Sequence, residues 1–232
     1  MGRLGKWLRS VVPGSCVLCA AAANVQGLCD GCSASLPAAT GSRCPVCASQ
    51  TPNASLCGRC IRRPPRYDYV VSALEYVTPV DFLVAELKYS RNLAAARALA
   101  SPLASRLANE PCPDIVLPMP IADSRLRERG FNQSMEIGRA LARTSGLRLD
   151  PGLCRRTRDT PAQVDLSPAQ RARNVRGAFR CTRALAGITI AVIDDVMTTG
   201  ATLEEIAGVL KKAGASRVVN WVAARTLPPP NQ

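Results

Sequence analysis

The pattern of apolar and polar positions predicts short strands that alternate with helices over most of the chain. A pattern typical of strands covers residues 67–77, 114–117, 153–158, 175–180, 188–193 and 217–224. Apolar residues at helical spacing cover residues 79–88, 93–107, 135–144 and 203–212. Because alternating strands and helices with short connections favour a parallel, doubly wound sheet, we expect an α/β fold with a Rossmann-like core.

Turn and cap residues mark several boundaries of these elements. Ser167, Pro168 and Gln170 form a typical helix start, and Gly146 favours the end of a helix. Residues 61–66 contain two prolines and three arginines, which cannot continue a helix, so we predict a linker there. The proline-rich residues 228–232 are predicted to form a disordered tail.

Eight cysteines before this linker form an internal repeat. The spacing C-x2-C-x9-C-x2-C occurs twice, with every cysteine of the second copy displaced by 28 residues. Two C-x2-C turns supply the four thiolates of a closed structural Zn²⁺ site, so we predict two such zinc ions. The spacing does not decide whether one zinc ion is bound by the four cysteines of one repeat or by cysteine pairs from both repeats. The predicted ligands are Cys16, Cys19, Cys29, Cys32, Cys44, Cys47, Cys57 and Cys60.

A disulfide framework is the alternative interpretation of these cysteines. It requires an oxidising compartment, and no secretory signal supports one, because Pro13, Gly14 and two cysteines interrupt the apolar residues near the N-terminus. No stretch approaches the roughly 20 apolar residues of a membrane span. We therefore expect a cytoplasmic protein without membrane insertion.

Composition narrows the chemistry and points to anionic ligands. The chain has no histidine, which excludes Ser-His-Asp hydrolysis, Cys-His proteolysis and zinc catalysis with histidine ligands. The formal charge of +13 is unevenly distributed, with +7 in residues 1–66 and +6 in residues 67–232. A basic zinc module is either a solvated surface or a binding surface for nucleic-acid phosphates.

The most informative segment follows the predicted strand 188–193. Asp194 and Asp195 would emerge at its carboxyl end, where open α/β sheets bind ligands. Adjacent carboxylates can accept hydrogen bonds from two vicinal hydroxyls of a ribose and face a Mg²⁺ ion. Residues 198–202 form a turn before the next helix, where backbone N–H groups and threonine hydroxyls favour a phosphate. The alternative is a solvated helix cap without a ligand.

Residues 190–202 look like the 5-phosphoribosyl-1-pyrophosphate (PRPP) binding signature of type I phosphoribosyltransferases. The whole chain resembles the ComF family, competence-associated proteins in which a cysteine-rich zinc module precedes a phosphoribosyltransferase domain. The matching residues are the cysteine repeat, Leu87-Lys88-Tyr89, Pro118-Met119-Pro120, Arg129 to Gln133, Gln163 to Val175, and Asp194 to Thr202.

This resemblance implies a double zinc-ribbon module in residues 1–63 and a phosphoribosyltransferase domain, with a sheet of the type I kind, in residues 67–227. Asp194 and Asp195 would be the catalytic residues and hold the ribose hydroxyls, with Mg²⁺ bound together with PRPP. Residues 158–173 would form a mobile flap. The implied PRPP-binding residues are Asp194, Asp195, Thr198, Thr199, Gly200, Ala201, Thr202, Pro120, Arg125 and Lys88.

Three functions agree with these expectations. The first is an enzyme that transfers phosphoribose from PRPP to an unknown acceptor and releases pyrophosphate; salvage of 6-oxopurines is disfavoured, because Thr198 replaces the aspartate that acts as a base in those enzymes. The second is a non-catalytic protein that handles single-stranded DNA through its basic zinc module. PRPP would then be a regulatory ligand, and a protein of the DNA-uptake machinery would be a partner. The third is a zinc-stabilised scaffold with a vestigial ribose site.

Overall fold

The structure is a computed structural model that describes residues 14–158 and 168–227. Several predictions fall outside these residues: the cap Ser167, the Gln163 to Ser167 part of the family motif, most of the proposed flap, and the tail 228–232. Among the described residues, no helix combines the length and the apolar character that crossing a bilayer requires.

The described elements follow the predicted alternation closely. The strands are β1 (Tyr69–Glu75), β2 (Ile115–Pro118), β3 (Cys154–Arg156), β4 (Phe179–Cys181), β5 (Thr189–Met197) and β6 (Arg217–Arg225). The helices are α1 (Asp30–Ala34), α2 (Gly58–Arg62), α3 (Val80–Tyr89), α4 (Leu93–Leu107), α5 (Asp123–Arg129), α6 (Gln133–Ser145), α7 (Pro168–Val175) and α8 (Ala201–Lys212).

Four strands form a parallel sheet in the order β1-β6-β5-β2. Its central strands are apolar on both faces because helices cover both sides, as in other parallel sheets. The predicted α/β fold with a parallel sheet and a cysteine-rich N-terminal module is confirmed. The strands β3 and β4 do not join this sheet and pair with each other in antiparallel orientation.

Helix ends agree with the capping residues of the sequence. The Asn92 and Asn132 side chains accept hydrogen bonds from backbone N–H groups at the starts of α4 and α6, and Gly146 ends α6 in the left-handed conformation. Helix α5 was not predicted, because its seven residues are mostly charged and contain little apolar periodicity. It ends at Gly130, whose φ is 80°.

The two zinc repeats pack on opposite faces of the sheet. We call residues 15–35 the first ribbon and residues 43–63 the second ribbon. Cys16 of the first ribbon belongs to the apolar cluster of α3 and α4, whereas Cys47 of the second belongs to the cluster of α8. The connecting segment runs along β1, where the Ala39 N–H donates to the carbonyl of Ala73 at 2.8 Å. The connection therefore covers part of the edge strand, which would otherwise offer free pairing groups.

Candidate functional site

Each ribbon brings its own four cysteines together. In both groups the sulfur atoms lie within 4.8 Å of one another. The Cys19 and Cys29 sulfurs are 3.6 Å apart, and those of Cys47 and Cys57 are 3.5 Å apart. Tetrahedral zinc with Zn–S bonds of about 2.3 Å requires sulfur separations of about 3.8 Å, so both groups fit one structural zinc ion each. The ligand pairing that the sequence left open is therefore within each repeat.

The backbone repeats along with the cysteines. Ala20 and Ala48 follow the first cysteine pair of each ribbon with φ near +60°, and each donates its N–H to the carbonyl of the first cysteine at 2.9 Å. Cys29 and Cys57 cap the short helices α1 and α2. The two ribbons are thus structural copies, which explains why the spacing repeats without variation.

A cleft opens where β2 ends while its neighbour β5 continues. Strand β2 pairs with β5 only as far as Pro118, opposite Ile193. Strand β5 continues to Met197 because β6 still pairs with it on the other side. Asp194 and Asp195 therefore lie within the strand rather than after it, which corrects the predicted strand end. They remain at the carboxyl edge of the sheet, because one side of β5 is free of a partner strand there.

The cleft has a volume of about 430 Å³ and is lined by all ten residues that the sequence predicted for PRPP. Of the three arginines of α5, Arg125 and Arg129 line the cleft and Arg127 does not. Residues four positions apart share a helix face, so α5 directs the first two to one side. The cleft also contains residues that no motif pointed to, namely Tyr76, Ser134 and Arg156.

The two aspartates have different partners. Asp194 accepts a hydrogen bond from the Ser134 hydroxyl at 3.1 Å, and Asp195 forms an ion pair with Lys88, whose Nζ lies 2.7 Å away. Burial, together with the neighbouring charge of Asp195, raises the pKa of Asp194 to about 7. Burial alone would lower the pKa of Lys88, but the two carboxylates outweigh it and raise that pKa. The cleft thus contains an acidic pair that is only partly neutralised.

The turn before α8 has the geometry of an anion site. Gly200 adopts a φ of +79°, and an added Cβ would lie 2.5 Å from the Met197 Cε atom, so only glycine fits this position without rearrangement. The helix begins at Ala201, and its first N–H groups have no carbonyl partners within the helix. A phosphate is the usual ligand of such a turn.

Arginine and tyrosine side chains form the opposite wall of the cleft. The Arg129 guanidinium lies over the Tyr89 ring, 5.7 Å from its centre, and Arg125 pairs with Glu128 at 3.2 Å. Ser134 was missed because a single serine after the 129–133 motif carries no signal of its own.

Comparison with known proteins covers both parts of the chain. Residues 7–61 match the double zinc ribbon domain family. The DNA utilization protein YhgH of Salmonella typhi is 37% identical over 225 residues, which cover 93% of this chain and 99% of that protein. Competence protein F of Haemophilus influenzae is 29% identical over 210 residues, which cover 86% of this chain and 91% of that protein. The chain belongs to the ComF family.

YhgH of Escherichia coli (strain K12), another relative of this ComF-family chain, is 36% identical over the same share of both proteins. Solved structures with partial similarity include the glutamine PRPP amidotransferase of B. subtilis, with 21% identity over 61% of this chain and 30% of that one, and a TM-score of 0.40. Leishmania donovani UMP synthase has 16% identity over 62% of this chain and 29% of that one, and a TM-score of 0.36. The chain spans less than a third of those proteins, and the fold assignment rests on the sheet itself.

Proposed function

We propose that this protein binds PRPP with Mg²⁺ in the cleft and transfers the phosphoribosyl group to a nitrogen nucleophile. The observation that carries this proposal is the meeting of two adjacent carboxylates, a glycine turn at a helix start and two arginines around one cleft. In the reaction, the bond from ribose C1 to the pyrophosphate oxygen breaks and its electron pair leaves with pyrophosphate. A bond from C1 to nitrogen forms, and the nitrogen releases a proton to water.

Different residues bind different parts of PRPP. Asp194 and Asp195 accept hydrogen bonds from the 2′ and 3′ hydroxyls, and the turn of residues 198–202 holds the 5-phosphate. The diphosphate lies toward Pro120 and Arg125, on the other wall of the cleft. Carboxylates and diphosphate oxygens are the hard oxygen ligands that Mg²⁺ prefers, so the acidic pair is suited to the metal that PRPP brings. Electrostatic stabilisation of the leaving group is the main contribution we assign to the arginine.

Isothermal titration of the zinc-loaded protein with PRPP and Mg²⁺ tests this proposal. The double variant Asp194→Asn, Asp195→Asn retains side-chain size and removes both charges, so it should lose binding. The variant Asp68→Asn is a matched control, since Asp68 is an exposed carboxylate that pairs with Lys211 at 2.8 Å on another part of the surface. Wild-type protein that does not bind PRPP would refute the proposed ligand.

A second candidate is a non-catalytic role in handling single-stranded DNA, in which PRPP is a regulatory ligand. Its support is the name of the curated relatives, DNA utilization protein, together with exposed arginines on and just after the second ribbon. Arg59, Arg63 and Arg66 line a second cavity of about 350 Å³ that shares residues 199–201 with the PRPP cleft. A single strand of DNA bound there would lie beside residues 198–202, which we call the phosphate turn. This role would suit a protein that works with a partner in the DNA-uptake machinery.

Salt dependence of binding distinguishes this second role. Removal of Arg62 and Arg63 by alanine substitution should reduce the slope of log affinity against log salt by up to about 1.4 for single-stranded DNA, because each phosphate contact contributes about 0.7. An unchanged slope would argue against this surface.

Four-thiolate zinc sites require reduced cysteines, which supports the expected cytoplasmic location. The boundaries 1–63 and 67–227 remain our proposal for the two domains.

A further inference from the structure

Two arginines beside the second ribbon, Arg59 of the ribbon itself and Arg225 of β6, donate to the phosphate turn. Arg225, the last residue of β6, donates from Nη1 to the carbonyl of Thr198 at 3.1 Å. Arg59 of α2 donates from Nη1 to the carbonyl of Thr199. Two successive carbonyls of the turn are therefore fixed from the side of the zinc module.

Arg225 also contacts the second zinc site. Its Nη2 donates to the Ser49 hydroxyl at 2.5 Å and lies 3.9 Å from the sulfur of Cys47. Arg225 is only 5% exposed, and Cys47 is completely buried. A guanidinium in such a position is costly without negative charge nearby. Four thiolates around Zn²⁺ carry a net charge of about −2, so the metal-loaded second ribbon supplies that charge.

The direction of the two carbonyls determines the direction of two N–H groups. In a planar trans peptide the C=O and the following N–H point in opposite directions. With the carbonyls of Thr198 and Thr199 directed toward the ribbon, the N–H groups of Thr199 and Gly200 are directed away from it. In the part of the chain that the structure describes, neither N–H has a hydrogen-bond partner. Both residues line the cleft.

We propose that Arg225 and Arg59 are positioning residues that couple the second zinc site to the phosphate turn. Zinc at this site orders the thiolates, the thiolates hold Arg225, and Arg225 orients the N–H groups that receive the 5-phosphate. The second ribbon is thereby part of the ligand site, whereas the first ribbon serves only stability. The ligand in this inference rests on the proposed function, but the ordering of the turn does not.

The first ribbon supplies a matched control for this coupling. It packs on the opposite face of the sheet, and Arg97 of α4 donates from Nε to the carbonyl of Val25 at 3.1 Å. Arg97 therefore ties the first ribbon to the α/β domain, as Arg225 ties the second ribbon through Ser49 and Cys47, but Arg97 does not line the cleft. A general effect of losing an arginine contact to a ribbon would be the same at both positions.

The experiment compares Arg225→Met and Arg97→Met in the full chain. Zinc content, PRPP affinity with Mg²⁺, and the {¹H}-¹⁵N NOE of the Thr199 and Gly200 amides are measured for each. We expect Arg225→Met to weaken PRPP binding about tenfold, the amount that one charged hydrogen bond supports. The NOE of both amides should fall, while amides within β6 keep their values. Arg97→Met should leave affinity and both NOE values unchanged.

A further variant separates positioning from loss of zinc. Arg225→Lys keeps a positive charge beside the thiolates but cannot span Ser49 and Thr198 with one fork. With two zinc ions retained, it should still show the lower NOE values and weaker binding. Unchanged NOE values in both Arg225 variants would overturn the coupling. Wild-type protein that fails to bind PRPP would refute the proposed ligand, and the NOE comparison would still decide the coupling.

Discussion

The Nζ atom of Lys88 lies 2.7 Å from Oδ2 of Asp195, which joins the end of α3 to the acidic pair on β5. Lysine at the end of a helix often extends along the surface into solvent. Here its charge is partly buried and directed into the cleft, because the carboxyl edge of the sheet places two carboxylates beside it. Lys88 therefore supplies a positive charge directly beside the acidic pair.

Replacement of this lysine should expose the repulsion within the acidic pair. For Lys88→Met we expect the free energy of unfolding to fall by about 1–3 kcal/mol, because Asp194 and Asp195 lose their counter-charge. Added Mg²⁺ should stabilise the variant more than the wild type, since the metal replaces the lost charge. Thermal unfolding with and without Mg²⁺ measures both effects.

The pair of Lys211 and Asp68, with a distance of 2.8 Å, is the control, because both side chains are more exposed than those of Lys88 and Asp195. Lys211→Met should cost less than about 1 kcal/mol, because solvent screens exposed ion pairs. It should also show no extra response to Mg²⁺. If both variants lost the same free energy of unfolding, burial in the cleft would not make the Lys88 ion pair more stabilising than the Lys211 pair.

The raised pKa of Asp194 predicts pH-dependent ligand binding. With a pKa of about 7, this carboxyl is mostly protonated at pH 6 and mostly ionised at pH 8. The proposed binding of Mg²⁺ and PRPP uses the ionised form, so the affinity should fall as the pH is lowered through 7. Titrations at pH 6, 7 and 8 measure this trend. A smaller dependence in Asp194→Asn would assign the trend to this residue rather than to the titration of PRPP.

The same pKa shift predicts the opposite trend for stability without ligand. Between pH 4 and pH 7 the folded protein holds a proton on Asp194 that the unfolded chain, with a pKa near 3.8, has already released. The contribution of this group to stability therefore falls as the pH rises through this range. Asp194→Asn should unfold at a higher temperature than the wild type at pH 8, and the difference should disappear near pH 4. No difference at pH 8 would contradict the raised pKa.

The sequence was sufficient for the parts of the molecule whose signal is local. The acidic pair and the phosphate turn lie in one continuous segment, and the eight cysteines follow one repeated spacing, so the sequence indicated both sets of candidate residues. Arg225 gave no signal, because an arginine at the end of an apolar strand looks like an ordinary solvated residue. Its partners Cys47 and Ser49 are distant in the chain, and only the packing of the second ribbon brings them together.

Two other features depended on tertiary structure in the same way. The opposite placement of the two ribbons follows from the path of residues 37–39 along β1, which no periodicity indicates. Helix α5 is fixed by its position after β2 rather than by its own apolar residues. Sequence therefore indicated the candidate site residues better than the residues that support them.

Separate zinc sites predict a simple stoichiometry. The wild type should contain two zinc ions, and both Cys29→Ser, Cys32→Ser and Cys57→Ser, Cys60→Ser should contain one, because each double variant removes half the ligands of one site only. Atomic emission on purified protein measures the zinc content. A variant with all four cysteines of the first ribbon replaced by serine separates the alternatives: separate sites would leave one ion, whereas pairs shared between ribbons would leave neither site complete.

Asn220 predicts a stabilising substitution in the sheet. Its side chain on β6 is completely buried, and neither amide atom has a hydrogen-bond partner among the described residues. Burial of an unpaired amide costs about 1–3 kcal/mol, and valine fits a central strand. We expect Asn220→Val to raise the free energy of unfolding by about 1–2 kcal/mol in denaturant titrations. A loss of stability would show that the amide has a partner such as a buried water.

Gly200 should be more sensitive to substitution than any glycine that needs only a left-handed backbone. Gly146 has a φ of +67° and open space around an added Cβ, so Gly146→Ala should cost about 1 kcal/mol and leave PRPP binding unchanged. Gly200 has a φ of +79° and would bring its Cβ within 2.5 Å of the Met197 Cε atom. The cost of Gly200→Ala should therefore be somewhat higher, about 1–2 kcal/mol, since the tip of the Met197 side chain must shift in addition to the backbone strain.

The substitution should also displace the phosphate turn, because Gly200 precedes the first residue of α8 and supplies one of its N–H groups. We expect PRPP affinity to fall at least about tenfold in Gly200→Ala, which corresponds to the loss of one hydrogen bond to a charged group. Calorimetry of both alanine variants, together with their denaturant midpoints, separates binding from stability. Equal affinities would mean that the turn does not contact the ligand, and the 5-phosphate would then have to bind at the arginine wall of the cleft instead.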